Sequence, residues 1–175
     1  MTLGSHQRTI GKSQSHFTPR HIIDALGPFD LDPCAGHPRP WDCARTSYSV
    51  NGLDYIWRGR VWLNPPFHRY EVPLWISKLS IHRNGIALVH ARTETLWFEY
   101  IWRRATSILF LADRLCFCDS AGIPQPHNSG APAVLASFDE PNAHCLATCK
   151  LDGFLVTNWR EKGSWELGAS AVQAL

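Results

Sequence analysis

The chain has no run approaching the roughly 18 uninterrupted apolar residues of a membrane span. Its Met1-Thr2-Leu3-Gly4 start shows no basic stretch followed by an apolar core. Both absences argue against a membrane-spanning or exported chain and lead to the expectation of a soluble, cytoplasmic protein without membrane contact. Strong charge is missing too: 17 Lys plus Arg stand against 15 Asp plus Glu, a formal net charge of +2. That balance neither identifies nor excludes a nucleic-acid partner, although nine His and the basic residues could still form a local basic face. Paired cysteines are lacking. The six are Cys34, Cys43, Cys116, Cys118, Cys145 and Cys149, and even with His37 and His144 close by, none makes the C-x-x-C pair that marks a zinc site. Free thiols and no metal are therefore expected. Internal repeats and low-complexity tracts are also absent.

What is present suits one hydrophobic core: 175 residues, 45% of them hydrophobic, are enough for a single domain and hardly for two. Residues 1–15 are polar and aperiodic, and read as a flexible arm. The domain is expected over 16–159, with 160–175 as a loosely attached tail. Thr18-Pro19 can open a short helix through Ile22, Ile23 and Leu26 that stops at Gly27-Pro28. Phe29 to Asp32 predicts a strand, Tyr48 to Val50 a weaker one before the Asn51-Gly52 turn, and Val61 to Leu63 a convincing one. A helix over 72–82, on Leu74, Trp75, Ile76 and Leu79, leads to a buried strand at 86–89. Then come a helix from Thr95 to Arg104, a strand at 108–111, and a pair of strands at 114–118 and 133–138 around a Gly/Pro-rich loop. Strands alternating with helices predict an α/β fold with a mostly parallel sheet and an antiparallel C-terminal strand pair.

The most informative stretch is Val61-Trp62-Leu63-Asn64-Pro65-Pro66-Phe67, an apolar strand running into Asn-Pro-Pro-aromatic. Each proline restrains the residue before it to extended conformations, so a stiff turn forms at the carboxyl end of the strand. The Asn64 side-chain oxygen and the Pro65 carbonyl can then accept both hydrogens of one external NH₂ group. An aromatic amine is a poor nucleophile because its lone pair is delocalised into the ring. Two such acceptors favour a pyramidal nitrogen and localise that lone pair toward a methyl donor, increasingly so as positive charge builds in the transition state. Phe67 offers a flat face on which a base taken out of the duplex can stack. The bland alternative is a proline turn with Phe67 in the core.

The tetrapeptide matches the catalytic motif of amino-methyltransferases, and the order of short motifs around it resembles the phage-type DNA N-6-adenine methyltransferase (Dam) family. These are Phe17-Thr18-Pro19, Asp30-Leu31-Asp32-Pro33-Cys34-Ala35, Gly52-Leu53-Asp54, residues 61–67, Ala91-Arg92-Thr93-Glu94-Thr95-Leu96-Trp97-Phe98, Arg114 to Phe117, and Ala131-Pro132-Ala133. Together they span roughly 16–138. The resemblance implies an abbreviated Rossmann-like methyltransferase fold, S-adenosylmethionine as methyl donor, DNA as partner, and methylation of adenine N6 by direct transfer to a flipped-out base. It also implies a bacterial cytoplasm as the setting, with the gene carried by a phage or prophage. Cytosine N4 or a small-molecule amine is the nearer alternative substrate; a non-catalytic nucleic-acid-binding module of the same fold is the more distant one. Monomer and homodimer remain open.

By that resemblance, Asn64, Pro65, Pro66 and Phe67 are the catalytic residues. Asp32-Pro33-Cys34-Ala35-Gly36 resembles the Asp-Pro-Phe-x-Gly cofactor motif, with Cys34 in place of Phe, and its Asp accepts from the ammonium of the methionine moiety. Phe17, Thr18 and Pro19 would line the methionine end, and Asp54 would bond the adenosine part; Thr18 as a helix cap and Asp54 as a turn residue are the plain alternatives. Arg92 and Thr93, and more weakly Arg114, His127 and Asn128, are candidates for DNA contact; a solvated Arg92 beside a capping Thr93 is the alternative there. Only 32 positions separate Asp32 from Asn64, room for about one crossover unit, so the sheet should be abbreviated and a separate recognition domain is not expected.

Overall fold

A computed structural model describes residues 16–159, so the expected arm at 1–15 and tail at 160–175 lie outside the described residues. Helix α1 is Arg20–Leu26, followed by strands β1 (Leu31–Asp32), β2 (Thr46–Ser47) and β3 (Val61–Leu63). Helix α2 (Val72–His82), strand β4 (Gly85–His90), helix α3 (Leu96–Arg104) and strand β5 (Ser107–Leu111) come next. Strand β6 (Ala133–Ser137), helix α4 (Glu140–Thr148) and strand β7 (Gly153–Thr157) complete the order. The seven strands form one sheet in the order β2-β1-β3-β4-β6-β5-β7. β2, β1, β3 and β4 are parallel neighbours, with Val61 opposite Gly85 and Leu63 opposite Ala87. β6 runs antiparallel between β4 and β5, and β7 pairs antiparallel on the far side of β5.

Alternation along the strands explains the layers. Val61, Leu63, Ala87 and Val89 face a core shared with Val72, Trp75, Ile76 and Leu79 of α2 and Trp97, Phe98 and Ile101 of α3. Trp62, Ile86, Leu88 and Leu135 face the other way, onto Ile22, Ile23 and Leu26 of α1, Leu146 of α4, and Phe117. Strands covered on both faces read as unbroken apolar runs, which is why β3 and β4 were easy to see. The inward positions of α2 recur at intervals of three and four residues, as one helix face requires. Leu74, expected on that face, lies outside it and is 56% exposed.

Several expectations need correction. α1 begins at Arg20 with Pro19 in the cap position and no side-chain cap, so Thr18 is not a helix cap. Thr95, rather than Thr93, occupies the cap position of α3. The weak strand falls at Thr46–Ser47 instead of 48–50, because Tyr48 N–H already bonds to the Asp32 carbonyl where the pairing ends. Residues 114–118 form no strand; Cys118 makes only isolated bridges to Phe17 and Pro124, and β6 instead pairs with β4 and β5. The antiparallel half is thus built from β6 and β7. Between Asp32 and Asn64 there is no crossover helix but the short strand β2 flanked by loops. α4, which the sequence reading lacked, starts at Asp139, whose side chain accepts from Asn142 N–H.

Candidate active site

β1, β3 and β4 run parallel, so their carboxyl ends, Asp32, Leu63 and His90, open on the same edge of the sheet, the edge where open α/β sheets hold ligands. β5 points the same way, being antiparallel to β6, and the connection 112–132 therefore leaves and re-enters over that edge. Residues 16–18 are tied to it: Phe17 N–H bonds to the Cys118 carbonyl at 3.1 Å and Cys118 N–H to the Phe17 carbonyl at 2.8 Å. Within 112–132, Gln125 N–H bonds to the Phe117 carbonyl and Ser129 N–H to the Leu115 carbonyl.

On this edge the two main motifs meet. Asp32 is buried, and its Oδ1 accepts from Cys34 N–H at 3.1 Å. Burial pushes its carboxyl up to about 7, against smaller lowering effects from the Cys34 N–H and the Arg39 charge. Cys34 Sγ in turn donates to the Asn64 carbonyl at 3.2 Å, and burial beside Asp32 holds the Cys34 thiol well above its usual value. The loop is shaped by close approaches. A Cβ on Gly36 would lie 2.6 Å from the Phe17 ring, and one on Gly52 would lie 1.6 Å from the Pro33 carbonyl oxygen. Phe17 and Gly36 are thus neighbours, as are Gly52 and Pro33, while Thr18, Pro19, Pro33 and Ala35 are buried. Asp54 is exposed two residues beyond Gly52, its N–H closing the turn on the Asn51 carbonyl.

Asn64 has a fixed amide orientation. Its Nδ2 donates to the His16 carbonyl at 2.9 Å, which leaves Oδ1 buried with no partner. Pro65 is buried, Pro66 exposed, and Phe67 half-buried. The Phe67 ring stacks on His90 with centroids 4.2 Å apart and planes 14° from parallel; Phe117 lies tilted at 5.6 Å, and His16 meets Phe67 edge-on. Burial first, then the charges of Arg92 and His16, push the His90 pKa down to about 4, so the ring is neutral near pH 7.

Among the described residues, three buried side-chain polar atoms have no hydrogen-bond partner: Thr18 Oγ1, Asn64 Oδ1 and His90 Nε2. All three belong to segments that meet on this one edge. A buried polar atom left unsatisfied costs about 1–3 kcal/mol, and such atoms are rare enough that a cluster of them calls for a missing partner. The arrangement offers an acceptor with fixed direction at Asn64, a carboxyl group at Asp32, and the stacked rings of Phe67 and His90 at the end of β4.

The proposed DNA-contact residues are less concentrated. Arg92 and Thr93 are exposed just past His90, and the Arg92 carbonyl accepts from the Thr95 hydroxyl and N–H. Arg114, His127 and Asn128 are exposed on the 112–132 connection, where Asn128 Oδ1 is engaged by Gly130 N–H. Sequence reasoning gives His16, His90 and Phe117 no site role, and the structure brings them beside Asn64 and Phe67. The same strand-end rule that singled out Asp32 and Asn64 points to His90, a polar residue closing an apolar strand. A cavity of about 380 Å³ lined by Arg83, Arg103, Arg104 and Trp159 opens at the other edge, away from these motifs. No group of three or more metal-ligating side chains occurs among the described residues, and none of their helices is long and apolar enough to cross a membrane.

The family model for DNA N-6-adenine-methyltransferase (Dam) matches residues 11–152 of the chain. No curated protein and no solved structure matches the chain.

Proposed function

The chain belongs to the DNA N-6-adenine-methyltransferase (Dam) family, and from that premise we propose that it methylates adenine N6 in DNA, using S-adenosylmethionine, by direct transfer to a flipped-out base within an abbreviated Rossmann-like fold. The observation that carries this reading is Asn64 Oδ1, buried without a partner while Nδ2 is held by the His16 carbonyl. An amide so fixed can only accept at that point. Beside it, the Pro65 carbonyl receives no hydrogen bond from a described residue. Two acceptors on consecutive residues would suit one NH₂ group, binding it best when its nitrogen is pyramidal and gaining positive charge. Phe67 provides the stacking face for the base. The methylated nitrogen afterwards sheds a proton, for which water suffices as acceptor.

The residues at the end of β1 fit the cofactor. When bound, S-adenosylmethionine supplies a methyl group activated on a sulfonium. Asp32 would accept from its ammonium, the unpartnered Thr18 hydroxyl would bond its methionine end near Phe17 and Pro19, and Asp54 would bond the adenosine part. Pro33, Cys34, Ala35 and Gly36 keep the backbone close, and Phe17 against Gly36 and Gly52 against Pro33 leave no room for larger residues. Arg92, Thr93, Arg114, His127 and Asn128 lie on the surface around this edge and are assigned to DNA, Arg92 and Arg114 as phosphate partners.

The test is methyl transfer from labelled S-adenosylmethionine to DNA, followed by digestion and nucleoside analysis. N6-methyladenine is the expected product. N4-methylcytosine would overturn the choice of base, and no incorporation into any DNA would overturn the enzymatic reading.

A further inference from the structure

Asn64 directly follows β3, and His90 ends the adjacent parallel strand β4. Ile86, Leu88 and His90 share a parity along β4, and Ile86 and Leu88 pack on the α1 and α4 side with Trp62 of β3. Each of the two residues carries a buried polar atom without a partner. The orientation of the His90 ring is set by Phe67: the planes are within 14° and the centroids 4.2 Å apart. His90 and Asn64 thus each hold an unsatisfied buried atom near the Phe67 ring.

We propose that His90 reads the target base, donating from Nε2 to a ring nitrogen of the flipped adenine while Asn64 accepts from the amine. The inference rests on the reading of this site as an adenine methyltransferase. A base whose amino group lies on Asn64 Oδ1 presents its neighbouring ring nitrogens, N1 on one side and N7 on the other, in the plane of the amine, where an in-plane donor is needed. His90 is neutral near pH 7 for the reasons given above, so one ring nitrogen carries a hydrogen and the other accepts; donation from Nε2 requires the tautomer with the hydrogen there. Contact with N7 would also discriminate against cytosine, which has no acceptor at that place.

The experiment uses the full chain and duplex DNA carrying the methylated site found by sequencing, with the target adenine replaced in turn by 1-deazaadenine and 7-deazaadenine. His90→Phe keeps a flat ring against Phe67 and removes the donor; melting of this variant checks that it is folded. With adenine, His90→Phe should lower kcat/KM about 5- to 10-fold, the range of one hydrogen bond. For the wild type, one of the two analogues should show a loss of the same size, and His90→Phe should add nothing further on that analogue. Methyl transfer by the wild type with equal His90→Phe effects on all three bases, or with no effect on adenine, would overturn this assignment alone. If the wild type methylates no DNA, the underlying reading falls and this assignment with it. If neither variant nor analogue discriminates but His90→Phe lowers the melting temperature, His90 is only a packing residue.

Discussion

At Asn64 the decisive property is the direction of an amide. The His16 carbonyl takes the NH₂ end, so in the proposed reaction the oxygen would be presented without reorganisation. Asn64→Ala should therefore lower the single-turnover rate by roughly 10²–10³-fold, the loss seen when one preorganised polar contact is removed, while cofactor affinity changes little. Equal rates for both forms would reduce the tetrapeptide to a turn. Asp32 makes a different prediction, in pH. Its carboxyl is raised from 3.8 to about 7 in the free protein, chiefly by burial. The ionised form is thus disfavoured, and the free protein is destabilised progressively as pH rises from about 4 to 7. An ammonium partner stabilises the carboxylate, so cofactor binding should release a proton below pH 7 and weaken as pH falls through 7. Calorimetry in buffers of different ionisation enthalpy counts that proton, and Asp32→Asn should abolish both the release and the pH dependence.

At the scale of elements, the site is a set of strand ends held together by loops that touch. Gly52 shows how tightly. A Cβ there would fall 1.6 Å from the Pro33 carbonyl oxygen, and this is a backbone obstacle that cannot rotate away. Gly52→Ala should displace the 51–55 loop from the Asp32-Pro33 turn, and S-adenosylmethionine affinity should drop at least tenfold. Trp57 Nε1 bonds to the Gly52 carbonyl and Lys78 Nζ to the Leu53 and Tyr55 carbonyls. The loop is therefore anchored to α2, and some loss of melting temperature should accompany the loss of affinity. Undiminished affinity would show that this loop is not part of the cofactor site. The segment at 16–18 is the matching element on the other side: through Cys118 it joins the 112–132 connection to Asn64.

At the scale of the molecule, one sheet carries everything described, with the candidate site on a single edge. The described residues contain no second domain that could read base edges at a distance. The residues proposed for DNA contact are the exposed Arg92 and Thr93 past β4 and Arg114, His127 and Asn128 on the 112–132 connection. One good bidentate base contact supplies about 1–3 kcal/mol of discrimination. The methylated site should accordingly be short or relaxed, and sequencing of methylated DNA should show it. A strict site of six or more base pairs bound by a monomer would contradict this; the same site bound by a dimer would place the missing contacts on a second copy.

The sequence alone was enough to determine the parts of this protein that depend on local chemistry. Asp32 and Asn64 were legible because a polar residue closing an apolar strand is visible along the chain, and β3, α2, β4, α3 and β5 because burial on one or both faces imposes a period. The α/β class followed from their alternation. What tertiary structure decided depends on residues far apart in sequence. Nothing local says that β6 inserts between β4 and β5, so the pattern at 114–118 predicts a partner that β6 does not use. Thr18 looked like a cap until the start at Arg20 left its hydroxyl buried and unpartnered. His16, His90 and Phe117 come together across 16, 90 and 117, and only their meeting fixes the amide of Asn64 and the plane of Phe67. Strand and helix periods are written in neighbours along the chain, whereas an unsatisfied atom or a stacked ring is defined only by what surrounds it in space.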